Sequence, residues 1–207
     1  EVLRKVLFPQ GDGGSQYFRI PAIITAKNGN LLAVIDARRN TTRDLQHTRN
    51  IDIAFKRSSD DGQTWSDIDF ITNFPDGEVG SDASLVVERK TGKILCFYNY
   101  LDHDTKFNKS RPSKTAVNYR YFLQTSDDHG ETWSQPRDIR DEILQDHLTR
   151  RDFVFVTSGR GMQTKSGLII HTLVHVGKAG YLFGSSDQGK TWGALKKASP
   201  FSPANES

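Results

Sequence analysis

The chain has 207 residues, of which 35% are hydrophobic and 26% are charged, so it can bury a core and is not disordered as a whole. Its net charge of +3 comes from dispersed basic residues, which argues against a nucleic-acid-binding surface. No apolar run approaches the roughly 18 residues of a membrane helix. The only cysteine, Cys96, lies in an apolar run, which excludes an intrachain disulfide and a cysteine metal cluster.

The elements predicted in chain order are mostly strands joined by glycine turns. K-N-G-N at 27–30, K-T-G-K at 90–93 and K-S-G at 165–167 each precede an apolar run rich in β-formers. A glycine turn between such runs indicates a hairpin. Third runs follow at 51–56, 119–124 and 179–183, whereas 141–151 favours a short helix or turn and 100–117 a polar loop.

An eight-residue motif follows the third run of each unit and precedes its fourth strand. It reads S-x-D-x-G-x-T-W at 58–65, 126–133 and 185–192, and it contains all 3 tryptophans of the chain. Aspartate accepts backbone hydrogen bonds in tight loops, glycine takes unusual backbone angles and tryptophan supplies buried area. We therefore interpret these boxes as structural turns and not as catalytic sites.

Three repeats of four strands predict an all-β fold of propeller blades. The predicted blades span about 16–80, 81–150 and 151–207, all within one domain over 1–207. Propellers usually close a ring of four to eight blades, and three alone would leave two open sheet edges. We therefore expect the chain to be part of a larger ring.

Charged residues gather at the predicted strand ends of the first unit. Arg19 lies in F-R-I-P at 18–21, Arg38 ends the following strand in D-A-R at 36–38, and Asp44 comes six residues later. Two arginines and a carboxylate at adjacent strand ends would form a polar cluster at one end of the propeller. They could equally be surface arginines with a pairing aspartate, and Arg39 is the neighbouring alternative to Arg38.

Together, the F-R-I-P motif, the D-A-R segment with its downstream aspartate, and the boxes resemble the exo-α-sialidases (neuraminidases). The resemblance runs from about Phe8 to the end of the chain. It implies a six-bladed β-propeller of which this chain is the N-terminal half, and a retaining hydrolase that releases terminal sialic acids from glycoconjugates. It also implies no cofactor and no metal, and a secreted, periplasmic or cell-surface location, while the short apolar runs predict no membrane span.

The resemblance implies a role for each matching residue. Arg19 and Arg38 match two members of an arginine triad that grips the sialic acid carboxylate, for which the guanidinium fork is suited. Asp44 matches the acid/base aspartate that protonates the leaving oxygen and later activates water. Asp82, in a segment similar to D-P-x-L-V, would line the glycerol and N-acetyl end of the pocket.

Two further matches are shorter. The segment 159–163 resembles a G-x-G-x-Q stretch, which we interpret as close backbone packing near the axis, with Gln163 as a candidate pocket residue. N-E-S at 205–207 resembles the start of a strand whose glutamate, here Glu206, polarises a nucleophilic tyrosine. No tyrosine here matches that nucleophile, and the third arginine would also follow Ser207.

We therefore expect the chain alone to be inactive, and its main partners to be a sialylated glycan and the C-terminal half of the same propeller. A non-catalytic sialic-acid-binding propeller is one alternative, although binding alone needs no positioned acid. A structural or protein-binding propeller would carry the boxes without the arginines. A trans-sialidase would share all of these residues.

Overall fold

The computed structural model describes residues 4–40, 42, 50–75, 77–102, 119–144, 154–175 and 179–195. These residues form an all-β structure with one short helix and one 3-10 turn at Asp12–Gly14. The elements in chain order are β1 (Tyr17–Thr25), β2 (Leu31–Arg38), β3 (Ile51–Ser58), β4 (Asp69–Phe70), β5 (Val79–Val87), β6 (Ile94–Leu101), β7 (Tyr119–Ser126), β8 (Arg137–Asp138), α1 (Arg140–Ile143), β9 (Val154–Val156), β10 (Gly159–Arg160), β11 (Met162–Gln163), β12 (Ile169–His175), β13 (Ala179–Ser185) and β14 (Gly193–Ala194).

The first two units are antiparallel meanders of the predicted kind. Strands β1 to β4 pair in chain order, and β5 to β8 do the same. The glycine turns are present, since Gly29, Gly92 and Gly167 have φ angles of 93°, 85° and 97°, which L side chains resist. In the described residues, the strand ladders of the two meanders meet at one parallel pair, Ile51 with Val79.

The third unit begins with a divided strand. Strands β9 and β11 both pair antiparallel with β12, which continues to β13 and β14. Strand β10, between them, instead pairs in parallel with β5 of the second unit, placing Gly159 opposite Ser84. The opening strand of the third unit therefore lies beside that of the second.

The hydrophobic core lies between units rather than within one sheet, because strands such as β2, β3 and β6 bury side chains on both faces. Between the first and second units, Val34 and Phe55 belong to the same cluster as Leu85 and Tyr98. Between the second and third, Phe97 lies 4.9 Å from Trp192 and 5.7 Å from Phe183, measured between ring centroids. The units therefore depend on each other for burial, as repeats do.

The three boxes share one hydrogen-bond pattern. In the first, Asp60 accepts bonds from the Ser58 hydroxyl (2.8 Å) and the backbone N–H of Thr64 (2.8 Å), and the Ser58 hydroxyl accepts from Gly62 N–H (2.9 Å). The other two boxes repeat these bonds through Asp128 and Asp187. The structural interpretation of the box is therefore confirmed.

A short helix lies where a short helix or turn was expected over 141–151: it spans Arg140–Ile143, and 145–151 lie outside the described residues. One predicted boundary needs correction. The loop expected from residue 100 starts later, because β6 continues to Leu101, where it pairs with Tyr119 of β7. Residues 103–118 lie outside the described part of the chain.

Candidate active site

Arg19 and Arg38 lie next to each other at the open end of the first hairpin. Antiparallel pairing sets Arg19 opposite Asp36 and Tyr17 opposite Arg38, so the two arginines are diagonal neighbours. Each donates from Nη1 to the carbonyl oxygen of Thr42, both at 3.4 Å. Arg19 is exposed, whereas the Arg38 side chain is fully buried at 0% exposure. The hairpin thus directs two guanidinium groups at one acceptor oxygen.

The carboxylate of Asp36 offsets the positive charge of the neighbouring guanidinium groups. Its carboxylate accepts a hydrogen bond from Arg38 Nη2 at 3.3 Å and from the Ser81 hydroxyl at 2.7 Å. Burial raises the pKa of Asp36 to about 6, although the Ser81 hydrogen bond and the Arg38 charge oppose that rise. Sequence reasoning assigned Asp36 no role. The D-A-R pattern could have indicated one, since residues i and i+2 of a strand share a face.

Arg39, the alternative to Arg38, points elsewhere. Its Nη2 lies 3.4 Å from the carboxylate of Asp52, and its side chain is 39% exposed. Asp52 in turn accepts hydrogen bonds from the Thr72 hydroxyl (3.2 Å) and the backbone N–H of Phe74 (3.1 Å). The structure therefore brings Arg38, and not Arg39, next to Arg19.

A β-bulge with unusual backbone geometry shapes each of the first two units at the site. The register shifts between Arg19 and Ala22 in β1, and between Ser81 and Ser84 in β5. Ile20 and Asp82 occupy these bulges with φ angles of 59° and 61°. Such angles are costly for a β-branched residue like Ile20 and are found at functional sites. A bulge changes the direction in which nearby side chains point. The bulges at Ile20 and Asp82 lie at the same end of the first and second units.

Asp82 is half-buried and connected to the third unit. Its Oδ2 accepts a hydrogen bond from Asn99 Nδ2 at 3.4 Å. Asn99 is buried and exchanges two hydrogen bonds with the backbone of Val156, at 2.9 and 3.0 Å. The backbone N–H of Asp82 donates to Asp36 Oδ1 at 3.0 Å. A continuous polar chain thus runs from Arg38 through Asp36, Asp82 and Asn99 to the third unit.

Gln163 lies away from this cluster. Its side-chain N–H groups donate to Glu88 (3.0 Å) and to the Gly167 carbonyl (2.9 Å), and its amide oxygen accepts from Arg89 N–H. Glu88 follows the far end of β5, about 20 Å along the strand from Asp82. The structure therefore does not bring Gln163 together with Arg19, Arg38 and Asp82, because its amide completes a turn at the opposite end.

The close backbone packing predicted for 159–163 is present. A Cβ atom on Gly161 would lie 2.5 Å from Val86 Cγ2 and 2.9 Å from His171 Cδ2. Such distances are too short for an unstrained contact, so glycine allows the second and third units to approach each other here.

The remaining two site residues, Asp44 and Glu206, lie outside the described residues. Within the described ranges, no group of three or more His, Cys, Asp or Glu residues could hold a metal ion. No helix in those ranges is long and apolar enough to cross a membrane.

The repeated units and the boxes define a class of protein, the BNR-repeat β-structures, and a BNR repeat-like domain matches residues 20–205. A sialidase from Bacteroides fragilis is 30% identical over 198 residues, covering 88% of this chain and 35% of the relative. One from Micromonospora viridifaciens is 32% identical over 199 residues, covering 89% and 30% respectively. The chain therefore spans about a third of the length of these curated relatives.

Solved sialidase structures also superimpose on this chain. A Hadza microbial sialidase superimposes with a TM-score of 0.79 at 27% identity, covering 91% of this chain and 39% of that one. A leech intramolecular trans-sialidase gives a TM-score of 0.74 at 17% identity, covering 94% and 46%, which shows a common fold. The chain belongs to the sialidase family, and it forms part of a propeller of the sialidase type.

Proposed function

We propose that this chain is the N-terminal half of a retaining exo-α-sialidase that hydrolyses terminal sialic acids from glycoconjugates. The observation that carries the proposal is the convergence of Arg19 and Arg38 on one acceptor oxygen. Sialic acid differs from most sugars in its carboxylate, and paired guanidinium groups are the side chains best suited to hold one. Arg19, which is exposed, contacts the carboxylate directly, and the buried Arg38 supports the same pocket.

In this proposal, the acid/base group is Asp44, which follows the arginine pair in sequence. It protonates the leaving glycosidic oxygen and later activates water. Asp82 lines the pocket from the second unit. A tyrosine polarised by Glu206 is the nucleophile, because a neutral nucleophile avoids repulsion by the substrate carboxylate. That tyrosine and the third arginine come from the C-terminal half.

The tyrosines of this chain support an external nucleophile. Tyr98 and Tyr121 are fully buried, and burial raises the pKa of both phenols far above the ordinary value. Burial also raises the pKa of Tyr100 to about 12. Tyr17 is 37% exposed and lies opposite Arg38 in the ladder, so it is the tyrosine to test as an internal alternative.

The partners in this proposal are a sialylated glycan and the remaining blades of the same propeller. Exposed apolar side chains support the second partner. Ile23 on β1 is 48% exposed and Met162 on β11 is 59% exposed, and both lie on strands that open a unit. The resemblance to sialidases supports a secreted, periplasmic or cell-surface location.

The test is hydrolysis of a fluorogenic sialoside by this chain alone and by this chain combined with the C-terminal half. We expect activity only in the combination, and we expect Asp44→Ala to abolish it. Arg19→Ala should lower kcat/KM by about 10- to 100-fold, the range expected for a lost charged hydrogen bond, whereas Arg39→Ala should change it little.

Other outcomes separate the alternatives. Hydrolysis by the chain alone, lost in Tyr17→Phe, would show that the nucleophile is internal and that the site assignment is wrong. Sialic acid binding without hydrolysis in the combination would indicate a lectin-like propeller. Transfer of sialic acid to an added galactoside, instead of release to water, would indicate a trans-sialidase.

A further inference from the structure

Asp36 receives hydrogen bonds from two units at once. Within its own strand, Arg38 Nη2 lies 3.3 Å from Oδ2. From β5 of the second unit, the Ser81 hydroxyl donates at 2.7 Å and the Asp82 backbone N–H donates at 3.0 Å. Asp36 and Ser81 are both 0% exposed. One buried carboxylate therefore bonds both to Arg38 and to the bulge that carries Asp82.

The bulge explains why the second unit needs this carboxylate. At Asp82 the ladder between β5 and β6 is interrupted, because the register shifts between Ser81 and Ser84. A buried backbone N–H left without an acceptor destabilises the fold, and Asp36 Oδ1 provides that acceptor. The unusual φ of 61° at Asp82 is thus held by a side chain of the neighbouring unit.

The Asp36 carboxylate lies among charged groups of neighbouring strands. It contacts Arg38 on its own strand and the Asp82 backbone N–H on β5; Arg19 is opposite it in the ladder with β1, and the uncharged Ile53 is opposite it on β3. Without the negative charge of Asp36, the buried guanidinium of Arg38 would lose a charged partner that lies 3.3 Å away. An asparagine would keep the shape and remove that charge.

We propose that Asp36 is a positioning residue that fixes Arg38 of the first unit and Asp82 of the second unit at one relative position in the substrate pocket. It touches no substrate itself and acts through these two residues. This inference rests on the proposed sialidase function.

The test compares Asp36→Asn with Asp52→Asn in the chain combined with its C-terminal half. Asp52 is a matched control, since it is also a buried carboxylate of the first unit, with an arginine, a hydroxyl and a backbone N–H as partners. Asp36→Asn should lower kcat/KM for the fluorogenic sialoside by about 10- to 100-fold, the range expected for a lost charged hydrogen bond. Asp52→Asn should lower it less than about threefold, even where both variants lower the Tm.

A double-mutant cycle separates positioning from a purely structural role. In an Arg38→Ala background, Asp36→Asn should lower kcat/KM by a smaller factor than in the wild type, because the part that acts through Arg38 is already lost and only the part that acts through Asp82 is left. Equal effects of Asp36→Asn and Asp52→Asn, or full additivity with Arg38→Ala, would overturn the proposal. If Asp36→Asn does not fold, Ser81→Ala removes one donor and should show the same non-additivity on a smaller scale.

A backbone measurement keeps this inference distinct from the proposed function. Hydrogen exchange of the Asp82 amide in the chain alone should become faster in Asp36→Asn and stay unchanged in Asp52→Asn. If the wild-type combination hydrolyses no sialoside, the proposed function fails, and unchanged exchange at Asp82 in Asp36→Asn would separately refute the role of Asp36.

Discussion

At the scale of single residues, His171 shows how burial governs a titratable group between the second and third units. Its ring stacks on Phe183 at 5.3 Å and lies 4.9 Å from Phe97. Its Nδ1 accepts the backbone N–H of Thr172 at 2.7 Å, and its Nε2 lies 2.5 Å from the Ser84 hydroxyl. Burial lowers the pKa of His171 to about 4, so the native state keeps the ring neutral.

This pKa predicts a loss of stability in mild acid. Between pH 6.5 and about 4 the unfolded state binds a proton at His171 that the native state does not, so the free energy of unfolding falls as the pH falls. The contribution is about 3 kcal/mol over that range. Denaturant unfolding of His171→Phe at a series of pH values should lack this decrease.

The control for this prediction is His129→Asn, in the loop of the second box, which should keep the decrease. Asp36, with its pKa raised by burial to about 6, contributes with the opposite sign, since its stabilisation is lost as the pH rises through 6. It is present in both proteins, so the difference between them isolates His171. An identical decrease in His171→Phe would contradict the assignment.

At the scale of elements, the boxes place two consecutive residues in the left-handed region. The residue before the glycine joins it there in every box, as Asp61, His129 and Gln188 have φ angles of 56°, 63° and 66°. Only the glycine was predicted to do so. The network around the box aspartate compensates for the strain at these non-glycine residues.

Asp128 tests that compensation. Hydrogen bonds from the Thr132 hydroxyl and backbone N–H lower the pKa of Asp128 to about 2. Its stabilisation is therefore present above the unfolded-state pKa near 4 and is lost as the pH falls towards 2. Asp128→Ala should lower the Tm at pH 7 by about 2–4 °C and reduce the further loss below pH 4.

Thermal unfolding at pH 7 and pH 3 measures both effects, and Asp127→Ala, one residue earlier on the surface, is the control. A Tm difference between Asp128→Ala and wild type that is equally large at both pH values would contradict the role of the ionised carboxylate.

At the scale of the whole molecule, the units are held together by apolar contacts between sheets. Phe97 of the second unit contacts His171, Phe183 and Trp192 of the third and is 0% exposed. Phe97→Ala should reduce the free energy of unfolding by about 3–5 kcal/mol, the usual result of a large cavity in a core. Chemical denaturation measures this change.

Met162→Ala is the matched control, because this apolar side chain of the third unit is 59% exposed and its removal leaves no buried cavity. Its effect should stay within about 0.5 kcal/mol. Comparable losses in the two variants would show that the second and third units are not held together through Phe97.

The sequence by itself determined the local features of this protein. Strand runs, glycine turns and the three boxes follow from alternation and turn chemistry, which act over a few residues, and the units they predict are present. The F-R-I-P and D-A-R segments also indicated Arg19 and Arg38 as neighbours. The end of β6 was misplaced, because pairing with the adjacent strand β7 sets where it stops.

Only the tertiary structure decided how the candidate site is arranged. The choice of Arg38 over Arg39 depends on the pairing of β1 with β2, and the position of Gln163 depends on its bonds to Glu88. The role of Asp36 was out of reach, since its partner Ser81 lies 45 residues away and in another unit. Contacts across units leave no periodic pattern in the chain, so they appear only when the sheets are packed together.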